Sequence, residues 1–182
     1  MNEKSVYVVL SQTGTILSRL LKVLKGKKYN HSSISLNKDL SDMCSFGRLN
    51  AYNPFIGGFV HESVYYGTFK RFNKTQVLIL EIKISEYEYD NIIKYISSIE
   101  EEKSLYKYDV LGLVLAGFHV NYERDRALYC SKFVMNALNK GDIEVFLEMG
   151  NIAQPMDFMG ISGAKIIYQG QLVQYPHMYK ES

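Results

Sequence analysis

Tyr129-Cys130-Ser131-Lys132-Phe133-Val134-Met135-Asn136-Ala137-Leu138 is the stretch on which the reading of the fold turns. Cys130, Phe133, Val134, Ala137 and Leu138 stand at i, i+3, i+4, i+7 and i+8, the apolar stripe of an amphipathic helix. The cysteine heads that stripe, on the first turn. Unpaired backbone N–H groups and the positive end of the helix dipole favour a thiolate there. A cysteine nucleophile needs such a place and a nearby base. The same position also suits a small buried hydrophobe, a common fate of free cysteines.

Working outward, Asn139-Lys140-Gly141 breaks the helix on its C-terminal side. Upstream, Tyr108 to Phe118 is apolar and punctuated by glycine, a core helix or turn. Ser85 and Glu88 have the spacing of a capping box and predict a helix to about Glu102 that buries Ile92, Ile93, Ile96 and Ile99. Before it, Gln76–Ile84 alternates as a strong strand. At the N-terminus Val6–Leu10 reads as a buried strand. Thr13 or Thr15 then caps a helix carrying Ile16, Leu17, Leu20, Leu21 and Leu24, and Gly26 stops it. His31–Leu36 is strand-like, Asn37-Lys38-Asp39 supplies turn chemistry, and Met43–Arg48 returns antiparallel. A loop holding Asn53-Pro54 and a Gly57-Gly58 turn leads to a strand over Phe59–Val64. At the other end, Ala164–Tyr168, a Gln169-Gly170 turn and Leu172–Tyr175 read as a hairpin. Strands at both ends with helices between them give an α+β class, and 182 residues without a linker or repeat give one domain over 1–182.

Composition removes several function classes. A net charge of +2 is too small for a nucleic-acid surface, and the basic cluster Lys22, Lys25, Lys27 and Lys28 suits a solvated helix end. No apolar run has the length of a membrane span, and the N-terminus lacks the apolar core of a signal peptide. Two cysteines, Cys44 and Cys130, make no disulfide framework, so the expectation is a cytoplasmic protein with reduced thiols. There is no Cys-x-x-Cys, no His-Glu-x-x-His, no phosphate-binding glycine loop and no Gly-x-Ser-x-Gly elbow. No metal or cofactor is expected.

A thiol with a histidine base is what elimination leaves. Of the four histidines, His177 lies beside Pro176 near the terminus, His119 ends an apolar run, and His61 stands next to Glu62 in a strand. His31 is the strongest candidate base. It opens a strand flanked by Ser32, Ser33 and Ser35, small residues that leave room for another side chain.

The order of these pieces resembles a known family. Tyr29-Asn30-His31-Ser32-Ser33-Ile34-Ser35-Leu36, then Ser45-Phe46-Gly47-Arg48, then far downstream Tyr129-Cys130-Ser131-Lys132-Phe133-Val134 are similar to the circularly permuted papain-like cysteine hydrolases. These form the YiiX-like branch of the NlpC-type superfamily, which also holds the lecithin:retinol acyltransferase-like proteins. In this branch the histidine strand precedes the cysteine helix, as here. Pro155-Met156-Asp157-Phe158 is similar to the segment that leads into the family's last strands. The resemblance implies an antiparallel sheet or small barrel packed against helices. It makes Cys130 the nucleophile and His31 the base, with the Cys130 backbone N–H helping to hold the oxyanion. A third polar group should orient the imidazole. Ser45 shares the histidine's face if 33 pairs with 45; Glu62 is the preferred candidate because a carboxylate stabilises imidazolium. Tyr129 is a candidate pocket residue.

The implied activity is cleavage of an amide bond in a small peptide or amino-acid amide through a thioacyl intermediate, with cell-wall-derived peptides the substrates most associated with the superfamily. Two rivals are lipid acyl transfer or thioester hydrolysis, which needs an apolar tunnel, and a binding module with an idle site. A polar cleft with a carboxylate-binding group would favour peptides.

Overall fold

The computed structural model describes residues 3–12, 28–50, 53–109, 112, 115, 120, 124–148 and 152–178. The helix expected after Thr13, most of the Tyr108–Phe118 segment and His119 lie outside the described residues.

Six strands form one sheet: β1 (Glu3–Gln12), β2 (His31–Ser35), β3 (Cys44–Asn50), β4 (Asn53–His61), β5 (Gln76–Ser85) and β8 (Lys165–Gln171), in the order β4-β3-β2-β1-β5-β8. Every neighbouring pair in it is antiparallel. A short helix α1 (Gly67–Arg71) precedes β5, and α2 (Glu86–Glu101) follows it. A two-stranded parallel ribbon of β6 (Lys107–Tyr108) and β7 (Ala127–Leu128) leads into α3 (Cys130–Lys140). The mixed α and β composition with an antiparallel sheet is the expected class.

Strands β1 and β5 are buried on both faces, which explains their nearly continuous apolar sequence. On one face Val6, Val8, Leu10, Leu78, Leu80 and Ile82 meet Ile92, Ile96 and Ile99 of α2 and Phe133, Val134, Ala137 and Leu138 of α3. On the other, Tyr7, Val9, Val77 and Ile79 pack with Leu40, Met43, Phe69, Leu172 and Tyr175. The capping box of α2 is formed: Ser85 Oγ accepts from the Glu88 amide, and the Glu88 carboxylate accepts from the Ser85 amide at 2.6 Å. Phe133 anchors α3 to the sheet among Phe46, Phe59 and Tyr95, with ring centroids 5.4, 5.7 and 6.0 Å away.

Three expectations about local structure are corrected. Gly57 and Gly58 lie inside β4, which starts at Asn53 and ends at His61 rather than running Phe59–Val64. The reason is a close approach: a Cβ at Gly57 would stand 2.5 Å from Tyr108 Cδ1 and 2.7 Å from the Gly47 carbonyl oxygen. The glycine is there to seat an aromatic ring on the strand rather than to turn the chain. Residues 165–171 form one strand, not the first arm of a hairpin, and Leu172–Gln174 is a 3-10 turn. Gly170 pairs with Val77, and its bare Cα makes room for the Tyr168 hydroxyl, which a Cβ would approach to 2.7 Å.

The turn between β2 and β3 does form over Asn37-Lys38-Asp39, with the Leu40 amide donating to the Asn37 carbonyl. Asp42 completes it by accepting from Ser35 Oγ at 2.7 Å and from the amides of Leu36 and Asn37. That turn sets Ile34 opposite Cys44, so Ser33 faces Ser45.

Candidate active site

The site is assembled from three separated stretches. Cys130 is the first residue of α3, and its N-cap, Tyr129, makes no capping bond with its side chain. The backbone N–H groups of the first turn are therefore left uncapped by it, facing the same end of the helix as the sulphur. All five residues of the predicted stripe are buried, as is Ser131.

The helix comes close to β2 because that strand is lined by serines. Ser32 Oγ donates to Ser131 Oγ at 3.3 Å, and Ser131 Oγ lies 3.9 Å from Cys130 Sγ. The Ser32 backbone amide is near enough to favour the thiolate form of the sulphur. Beside it the His31 imidazole lies close enough to the Cys130 thiol to favour its thiolate.

His31 Nε2 is held 2.8 Å from Glu62 Oε1. That leaves Nδ1 as the ring nitrogen available to the thiol. Glu62 stands just beyond β4, fixed by its amide donating to the Met43 carbonyl at 2.7 Å. Its second oxygen accepts a short hydrogen bond from Ser33. Strand alternation puts His31, Ser33 and Gly47 on one face, and Glu62 arrives over the same face. At Gly47 a Cβ would stand 3.7 Å from His31 Cε1 and 3.8 Å from Glu62 Oε1, so this position floors the pair.

The electrostatics of the pair follow from these contacts. Burial disfavours charge on His31, but the Glu62 carboxylate and the hydrogen bonds to Cys130 and Glu62 outweigh it and raise the imidazole well above its ordinary 6.5. Burial also resists ionisation of Cys130, yet His31, the Ser32 amide and Ser131 bring the thiol below its ordinary 9.0. Both directions favour a thiolate–imidazolium pair. Cys44 is the internal contrast. It too is buried, and burial, with the negative charges of Asp42, Glu62 and Glu100 nearby, pushes its thiol far up.

Ser45, the alternative third group, does share the histidine's face in register. Its hydroxyl is used elsewhere, donating to the Ser32 carbonyl at 2.7 Å, and the carboxylate on His31 Nε2 is Glu62, with Ser33 Oγ 3.4 Å from the same nitrogen. Tyr129 is buried, and its hydroxyl is drawn to the Ala153 backbone, so it walls the site from within. His61 pairs with Glu100 at 2.8 Å instead of Glu62, and His177 is exposed. Two contributors escaped the sequence reading. Ser33 was legible as the i+2 neighbour of His31 in a strand, but the Ser32 amide had no signal in side-chain chemistry.

Among the described residues no three His, Cys, Asp or Glu side chains converge as a metal site requires, and no helix is long and apolar enough to cross a membrane. No protein-family model matches the chain, and no curated protein matches it in sequence, so a functional reading stands on the chemistry of Cys130, His31 and Glu62.

Proposed function

We propose that this protein is a cysteine hydrolase with a permuted papain-like fold, cleaving an amide bond in a small peptide or amino-acid amide. The observation that carries the reading is the convergence of Cys130, His31 and Glu62 at a helix start, with the imidazole held by the carboxylate and favouring the thiolate. A merely buried thiol needs neither a charged base nor an orienting carboxylate. The Cys44 environment is what such a thiol looks like.

In the proposed reaction the Cys130 thiolate attacks the amide carbon, forming the C–S bond. The developing oxyanion takes hydrogen bonds from backbone N–H groups at the start of α3. His31 passes its proton to the leaving nitrogen as the C–N bond breaks, and an amine departs. Neutral His31 then takes a proton from water, whose oxygen attacks the thioester carbon. Collapse releases a carboxylic acid and restores the thiolate–imidazolium pair. Glu62 stabilises the imidazolium in each half and keeps Nδ1 turned to the sulphur.

The test is an acid-quenched incubation with a panel of dipeptides and amino-acid amides, followed by intact and peptide mass spectrometry. A thioacyl adduct on Cys130, with turnover absent in Cys130→Ala and in His31→Ala, supports the reading. Acylation of Cys130 by long-chain lipid esters alone would replace it with the acyl-transfer chemistry. A panel that neither acylates Cys130 nor turns over, while iodoacetamide still alkylates it, would overturn it.

A further inference from the structure

Arg48 directly follows Gly47, the residue beneath the His31–Glu62 pair. It pairs with Gly57 across β3 and β4, and the Tyr108 ring lies on Gly57. Alternation along β3 turns Arg48 away from Gly47's face and toward the face that carries α3. Tyr108 is the common neighbour there, interacting electrostatically with both Arg48 and Cys130. Arg48 therefore lies on the α3 side of the sheet beside Tyr108, the ring whose hydroxyl also senses Cys130.

The guanidinium is half-buried and, among the described residues, makes no hydrogen bond or ion pair. A second cation, Arg71, lies close enough to disfavour its charge further. Of the carboxylates near the site, Glu62 is engaged by His31 and Ser33, and the buried Asp109 accepts from the Gly112 amide. Partly burying a charge with no counter-ion is costly, and a planar guanidinium matches a carboxylate with two parallel hydrogen bonds.

We infer that Arg48 is a specificity residue that receives a carboxylate of the substrate, so that the amide cleaved at Cys130 belongs to a compound carrying a free carboxylate near the scissile bond. This rests on the proposed hydrolase reading for its reaction, but not for its anion site.

The test separates the two. Iodoacetate and iodoacetamide share a leaving group and nearly a shape, and differ in charge. Both alkylate Cys130 by displacing iodide, with no hydrolysis involved. Second-order rates for the two reagents are measured on the full chain as wild type, Arg48→Met and Arg48→Lys. Arg48→Met should lower the iodoacetate rate roughly twofold to tenfold, the size of one partly solvated charge pair, and leave the iodoacetamide rate within about twofold. Arg48→Lys should restore part of the loss, and added salt should shrink the wild-type preference. His31 also attracts anions but is common to all three proteins. Equal changes with both reagents, or none, would overturn the inference. Arg48→Gln serves as the second variant if Arg48→Met melts early. With peptide substrates, Arg48→Met should raise KM for a free carboxylate and leave its carboxamide analogue unchanged. Absence of hydrolysis alongside a persisting iodoacetate effect would fail the hydrolase reading alone.

Discussion

Replacing Glu62 with Gln removes one charge from the site and keeps its shape. The wild-type oxygen sits 2.8 Å from His31 Nε2, and the side chains are only 13% and 10% exposed, so solvent screens the pair little. Unit charges about 4 Å apart at an effective dielectric of about 20 interact by about 4 kcal/mol. The Gln amide oxygen can still accept from Nε2–H, which returns about 1 kcal/mol. The net loss of about 3 kcal/mol corresponds to about two pKa units on the imidazole. The variant's His31 should therefore lose its proton about two pH units earlier. Nitrogen-detected NMR of the imidazole reads this directly, and the alkaline limb of iodoacetate inactivation reads it kinetically.

The stability consequence has a definite sign. His31 is raised in the folded state, so its stabilisation is fully present below about 6.5 and lost as pH rises through the raised value. The wild-type advantage over Glu62→Gln in denaturant unfolding should be largest near pH 6 and shrink toward alkaline pH. An imidazole titration that moves by less than about half a unit, against the two worked from the charge pair, would refute the claim that Glu62 holds the imidazolium.

Three further outcomes follow from the same geometry. Iodoacetamide at pH 6 should label Cys130 at least tenfold faster than a small free thiol and leave Cys44 unlabelled until the protein is unfolded, as mapped by peptide mass spectrometry; equal labelling would remove the activated thiol. Ser45→Ala should cost about 1–2 kcal/mol in urea unfolding, because the buried Ser32 carbonyl loses its 2.7 Å partner, while the His31 titration stays put. Gly57→Ala should cost about 1–3 kcal/mol, since its Cβ meets the Tyr108 ring and the Gly47 carbonyl at 2.5 and 2.7 Å, and a wild-type melting curve would contradict that contact.

How far the chain could be read in one dimension depended on the range of the physics. The Ser85–Glu88 capping box and the Cys130-to-Leu138 stripe were legible because their partners lie within a few residues along a helix. The 33-to-45 facing was legible because a short turn and strand alternation fix register locally. Gly57, Gly58 and Gly170 misled for the opposite reason. A glycine reads as a turn from sequence, yet two of these three positions make room for tyrosine rings, one of them 51 residues away.

The sequence by itself determined an α+β chain, a thiol at a helix start and a histidine at the head of a serine-rich strand, since each is a matter of local spacing and side-chain size. Only the tertiary structure decided which carboxylate meets His31, that Ser45 is spent on a backbone carbonyl, and that Arg48 has no acid partner among the described residues. Those outcomes hang on how β2, β3 and β4 stack in register beneath α3, and on which polar group first satisfies each buried neighbour. Hydrogen-bond competition in a packed site is settled by distances of tenths of an ångström between residues dozens of positions apart, which spacing along the chain does not encode.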